Sequence, residues 1–166
     1  MTATHPLRGA LSVALVRRVL YALTVIGIVA TAFELATVRH WNGLEQLIPW
    51  AALMVLAVAT VLALLPAGSA RIAARVLALI VLGASIYGVV DHIAVNYNSG
   101  PLDQRFADTW DTLSSTQQWW YAITKTVGPA PTLAPGILGQ TALLLFLAGL
   151  LTNRPTPEEA VADNAA

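Results

Sequence analysis

The stretch VLALIVLGASIYGVVDHIAV, residues 76–95, decides how the chain folds. Asp91 carries its only formal charge, and His92 stands beside it. As helix, a run of this length rises about 30 Å, the thickness of a bilayer's hydrocarbon core. In lipid a lone segment satisfies its backbone hydrogen bonds only as a helix. The spacing therefore predicts a membrane-spanning helix that carries a carboxylate and an imidazole toward one of its ends.

The same pattern recurs on both sides. VLYALTVIGIVATAFELATV (19–38), LIPWAALMVLAVATVLALL (47–65) and LAPGILGQTALLLFLAGLL (133–151) are of similar length and apolarity. Pro49 and Pro135 fall in expected first turns, where a missing N–H costs little. Of the 166 residues 57% are hydrophobic and 11% charged, against about 25% charged in a soluble domain. Mean hydropathy is +0.67, which points to the same class. The expected fold class is all-α: an integral membrane four-helix bundle. With zero formal net charge, nothing in the chain calls for a nucleic-acid partner. The absence of cysteine excludes disulfides, thiolate metal sites and thiol catalysis.

Arg8, Arg17, Arg18, Arg71, Arg75 and Arg154 fall on one side of these spans, and Arg39, Arg105 and Lys125 on the other. The positive-inside rule then places both termini in the cytoplasm of a multi-pass cell-membrane protein. Residues 1–18 form a cytoplasmic segment, 39–46 and 96–132 face outward, and 152–166 form a disordered cytoplasmic tail. Arg17-Arg18 followed by an apolar run and Ala30-Thr31-Ala32 resembles a signal peptide. The run continues to Val38, beyond the roughly 7–15 residues of such segments, so a retained span is expected.

In this topology Glu34 and Asp91 each lie about 6 Å below the outer boundary, and Gln140 about 10 Å. Ionisable groups at such depths face the bundle interior and find partners. Thr24, Gly27, Thr31 and Glu34 form a small-and-polar stripe on the first span; Ala84, Gly88 and Asp91 form one on the third. Small residues permit close helix approach, so the two stripes are expected to meet and bring Glu34 near Asp91. Glu34, Asp91 and His92, with His40 and Gln140 secondary, are the candidate ligands of a divalent metal. His40 and His92 are also candidate haem ligands, a weaker reading because neither faces a partner histidine from mid-helix. No cofactor is required by the residues, and a purely structural polar network with Tyr87 and Gln140 is the competing account. One glutamate on the first of four spans resembles the architecture of the small multidrug transporters. That resemblance covers Glu34 alone. The edge position of Glu34 and the long last loop depart from it, and no function is carried over.

The 96–132 connection is too long for a plain turn. Phe106, Trp110, Leu113, Gln117, Trp120, Thr124 and Val127 recur at helical spacing, and Ser115-x-x-Gln118 has the form of a capping box. One or two amphipathic helices with a break near Ser114 are expected. Trp110, Trp119, Trp120 and Tyr121 would serve as an interfacial anchor, a lid or a docking surface. An acidic residue followed by an aromatic, Asn and Gly recurs after the first and third spans, a faint echo of a duplicated hairpin.

No P-loop, G-x-S-x-G or H-E-x-x-H is present, so the chain does not read as an enzyme. The favoured expectation is a non-catalytic accessory, assembly or interaction subunit of a larger membrane complex or homo-oligomer in the lipid bilayer. The alternative is an ion-, proton-, metal- or cofactor-binding membrane protein, a transport component or redox helper, using the outer polar cluster.

Overall fold

The computed structural model describes residues 6–151, with side chains from residue 13 onward. The expectations for the segment 1–18 and the tail 152–166 fall partly and wholly outside these residues. Five α-helices follow one another: α1 (Pro6–Thr37), α2 (Leu44–Leu64), α3 (Gly68–Ser99), α4 (Ser115–Ile123) and α5 (Ala134–Leu150). Short 3-10 turns lie at Gly100–Leu102 and Trp110–Thr112, and no strand occurs among the described residues.

Three helices are long and apolar enough to cross a membrane, over Val13–Thr37, Leu44–Leu64 and Gly68–Leu102. The fourth expected span is shorter. α5 has 17 residues, about 25 Å of rise against a core of about 30 Å. Pro129 and Pro131 stop it from extending backward, because proline lacks the N–H that a further helical turn needs. α3 differs in the other direction. Its 32 residues run beyond the apolar stretch at both ends. Hydropathy marks the length of helix that lipid can bury, whereas a helix continues wherever its backbone bonds can form. Asp91 consequently lies two turns inside α3 and not at its edge. α2 begins at Leu44, so Pro49 lies inside the helix and not in its first turn.

The packing follows the small residues. α5 packs on α3 and α1, and α2 packs on α3 and α1. Gly139 of α5 lies against the Ser85 side chain, Gly27 of α1 against Thr141, and Gly88 of α3 against Pro135. The Ser85 hydroxyl donates to the Pro135 carbonyl across the same contact. The stripes on α1 and α3 therefore do not meet each other as expected. Both face α5. Ala59, Ala78, Ala142 and Ala148 with Leu56, Val81 and Leu145 complete the buried core. The opposite faces expose Ile26, Val29, Phe33, Met54, Val61, Ile80 and Ile86. A soluble monomer rarely presents such a continuous apolar surface to water.

The contact of α3 with α5 rests on the absence of a side chain at Gly139. Gly139→Leu is expected to lower stability by about 1–3 kcal/mol through overpacking. Gly83, on the same helix as Ser85, has open space around it, and Gly83→Leu should stay within about 0.5 kcal/mol of the parent. Thermal melting of both variants in the same detergent checks the difference.

Candidate functional site

At the end of the molecule that carries residues 38–43, the helices enclose a cavity of about 440 Å³. This falls within the range of small-molecule pockets, roughly 300–1,000 Å³. Its apolar walls include Leu35 and Val38, Ile48 and Ala52 of α2, and Leu138 of α5. Its polar lining includes Thr31 and Glu34 of α1, His40, Glu45, and Ser85, Tyr87, Asp91 and His92 of α3. Among the described residues neither Lys nor Arg lines it. Glu34 and Glu45 are exposed, whereas His40, Asp91 and His92 are half-buried.

The cavity is roofed by residues 129–131, and α3 holds that roof. His92 and Asn96 are one helical turn apart and share a face of α3. His92 Nδ1 donates to the Pro131 carbonyl at 2.9 Å. A carbonyl only accepts, so Nδ1 carries a proton. Asn96 is fully buried. Its Nδ2 donates to the carbonyls of Ala130 (2.9 Å) and Ala122 (3.2 Å), and its Oδ1 accepts from the Ala130 N–H at 2.9 Å. One side chain thus satisfies three backbone groups of the cap. Gly128, at φ +79°, sits against Asn96, a conformation and a distance that a side chain would not allow. Asn96 was not among the residues singled out from sequence. It follows the apolar run directly and reads there as the start of a turn.

The expected amphipathic loop is one helix and a folded coil. Ser114 caps α4 in a reciprocal capping box with Gln117, one residue earlier than the expected pair. The preceding half is turns, not helix. It is held by the bidentate pairing of Arg105 with Asp103 and by Arg105 Nη2 donating to the Thr126 carbonyl at 2.6 Å. Those bonds lower the Asp103 pKa. Trp110 is no interfacial anchor: at 3% exposure it is buried against Gly100 and Tyr97, because a small glycine leaves room for the indole there. Tyr97 stacks on Trp119 at 4.4 Å, and its hydroxyl donates to Gln118 Oε1 at 2.9 Å. Tyr121 packs on Phe106 and Trp120 points outward, 61% exposed.

Four of the five candidate ligands, Glu34, His40, Asp91 and His92, line this one cavity. Gln140 does not. Leu138, Gly139, Thr141 and Ala142 turn inward on α5, which leaves Gln140 on the exposed face. Among the described residues no group of three His, Cys, Asp or Glu side chains is close enough to hold a metal ion. Thr31 adds a signal of another kind. Thr24, Thr60 and Thr141 each return their hydroxyl to the carbonyl four residues back. Thr31, also buried and on the cavity wall, has no partner for its hydroxyl among the described residues. A buried hydroxyl left unpaired in this way is uncommon. No protein-family model matches the chain, and searches of curated proteins and of solved structures found no match.

His40 sits at the cavity mouth with its pKa lowered below the ordinary 6.5, first by burial and second by the charge of His92. The neutral form is thus favoured in the folded protein. The sign follows: above pH 6.5 the folded state carries no penalty from His40, and stability falls as pH drops from that value through the lower folded midpoint. A histidine NMR titration should give His40 a midpoint below 6.5, moving part of the way back in His92→Ala because burial remains. A midpoint at or above 6.5 would contradict this environment.

Proposed function

We propose that this is an integral, multi-pass four-helix protein of the cell membrane, with both termini cytoplasmic, that binds a small amphipathic cation in its outer-side cavity. α1, α2, α3 and α5 are the four crossings in this reading, and the residues entering α5 make up the length that α5 lacks. The observation that carries the binding role is the lining of the cavity. Three carboxylates, Glu34, Glu45 and Asp91, share apolar walls with no Lys or Arg among them. A low-dielectric wall strengthens the attraction of a carboxylate for a cation. The apolar surface suits a hydrophobic body, and a few convergent polar groups are what orients a ligand in such sites. Neutral His40 removes a repulsive charge at neutral pH. This role is a form of the ion-binding alternative drawn from sequence.

The test uses the purified full chain in a neutral detergent and a lipophilic cation, tetraphenylphosphonium, followed by tryptophan fluorescence. Glu34→Gln and Asp91→Asn should each weaken binding about tenfold, the equivalent of about 1.4 kcal/mol, whereas Arg39→Gln should not. Equal binding by all four proteins would sink the proposal.

The interaction-subunit reading keeps one specific support. Trp119, Trp120 and Ile123 are all exposed on the short helix α4. An outward aromatic face of this kind either lies in the membrane interface or meets a partner. The mass of the particle extracted from native membranes in mild detergent distinguishes these. An assembly larger than the chain, disrupted by Trp120→Ala, is the result expected of an interaction subunit.

A further inference from the structure

A second cavity, of about 240 Å³, lies at the opposite end of the molecule. It forms where α1 passes the last turns of α2 and α5 and the first turn of α3. Arg17, Tyr21, Leu65, Arg71, Gly149 and Leu151 are among its lining residues, and no carboxylate of the described residues is. The carboxylates of the described residues, from Glu34 to Asp111, belong to the other end and to the cap. The one ion pair among the described residues is Arg105 with Asp103, also at that far end.

Part of this basic cluster has a structural task. Arg17 Nη1 donates to the Leu151 carbonyl at 3.4 Å, and Arg75 Nη2 to the Gly149 carbonyl. Cations at a helix C-terminus satisfy carbonyls that have no partner in the helix. Capping uses one N–H of each guanidinium and leaves the rest of the fork of Arg17. It does not involve Arg71, which stands in the first turn of α3 and faces the same space. Arg75 Nε is buried beside Gly149 with no acceptor among the described residues. The α3 N-terminus adds backbone N–H groups and the positive end of its dipole. Arg17 and Arg71 are partly buried around this space with no carboxylate beside them among the described residues, and phosphate is the anion that the planar guanidinium fork fits best.

We propose that this pocket binds a phosphate group, that of an anionic lipid headgroup at the membrane surface, with Arg17 and Arg71 as its ligands. The site lies at the level where spans end, so a lipid phosphate in that leaflet reaches it without leaving the bilayer. Basic pockets between membrane helices are a recognised mode of headgroup binding. The proposal rests on the membrane reading of the chain and not on the cation cavity. The two sites are at opposite ends and are read by different ligands.

The test is thermal melting of the purified full chain in a neutral detergent, titrated with phosphatidylglycerol, with phosphatidylcholine or with inorganic phosphate. Phosphatidylglycerol should raise the midpoint saturably and phosphatidylcholine should not. Arg71→Gln, which removes no carbonyl contact and so leaves the fold intact, should shift half-saturation about tenfold, and the Arg17→Gln/Arg71→Gln pair further. Arg18→Gln, an equal loss of charge one residue outside the pocket, should match the parent. An equal response to both lipids, or an unchanged response in Arg71→Gln, overturns the site. A response to inorganic phosphate as large as that to phosphatidylglycerol overturns the lipid source and assigns a soluble phosphate. Glu158, Glu159 and Asp163 lie outside the described residues. A lipid response that appears only after their replacement by Gln, Gln and Asn would make the chain's own tail the occupant and overturn the proposal.

Discussion

The structure depends on how closely α5 approaches its two neighbours. Gly27, Gly88 and Gly139 each present bare backbone to a side chain of the facing helix, and at none of the three would a Cβ fit without displacement. In lipid the hydrophobic effect does not press helices together, because the tails are as apolar as the side chains. Association rests on van der Waals contact and on hydrogen bonds across the interface. Small residues supply the contact, and the Ser85 hydroxyl on the Pro135 carbonyl supplies a bond. α5 is the shortest of the four apolar helices and makes the most of these contacts, so it holds α1 and α3 in place.

That arrangement also determines where the chemistry can sit. With α5 between them, Glu34 of α1 and Asp91 of α3 line a shared space and are not locked into a direct pair. Its roof is the proline-containing segment 129–131, which has no helical hydrogen bonds of its own and takes them from Asn96 and His92. The adjacent Asp91 and His92 divide the work. They point about 100° apart, so the imidazole ties the roof while the carboxylate lines the space below. The opposite end has the opposite character, with arginines gathered around helix C-termini. Among the described residues every carboxylate lies toward the end of the first cavity, whereas Arg17, Arg18, Arg71 and Arg75 gather at the other end.

Much of this was legible in the residues and some was not, for identifiable reasons. Apolar length located three long helices and the apolar body of the fourth, since burial in lipid is a per-residue property. It missed the ends, because Gly68–Arg75 and Asn96–Ser99 are helical without being apolar. Four of the five polar candidates converge, because depth along a helix follows from counting residues. Gln140 does not, because depth leaves open which way a side chain faces. The helical spacing from Phe106 to Val127 misled over its first half. There the buried Trp110 and the Asp103–Arg105 pairing reward a coil, and periodicity alone cannot register contacts with residues distant in the chain.

The sequence by itself determined the all-helical class, the position of the apolar helices and the side of the apolar runs on which each charge falls. These depend on composition and on local rise per residue. The tertiary structure alone decided that both small-residue stripes face α5, that Asn96 is the hub of the cap, that Thr31 is buried with no partner among the described residues, and that two cavities of opposite character exist. Each of these depends on which faces meet, and facing is fixed by packing between segments far apart in the chain, as far as Arg17 and Leu151, which no local pattern encodes.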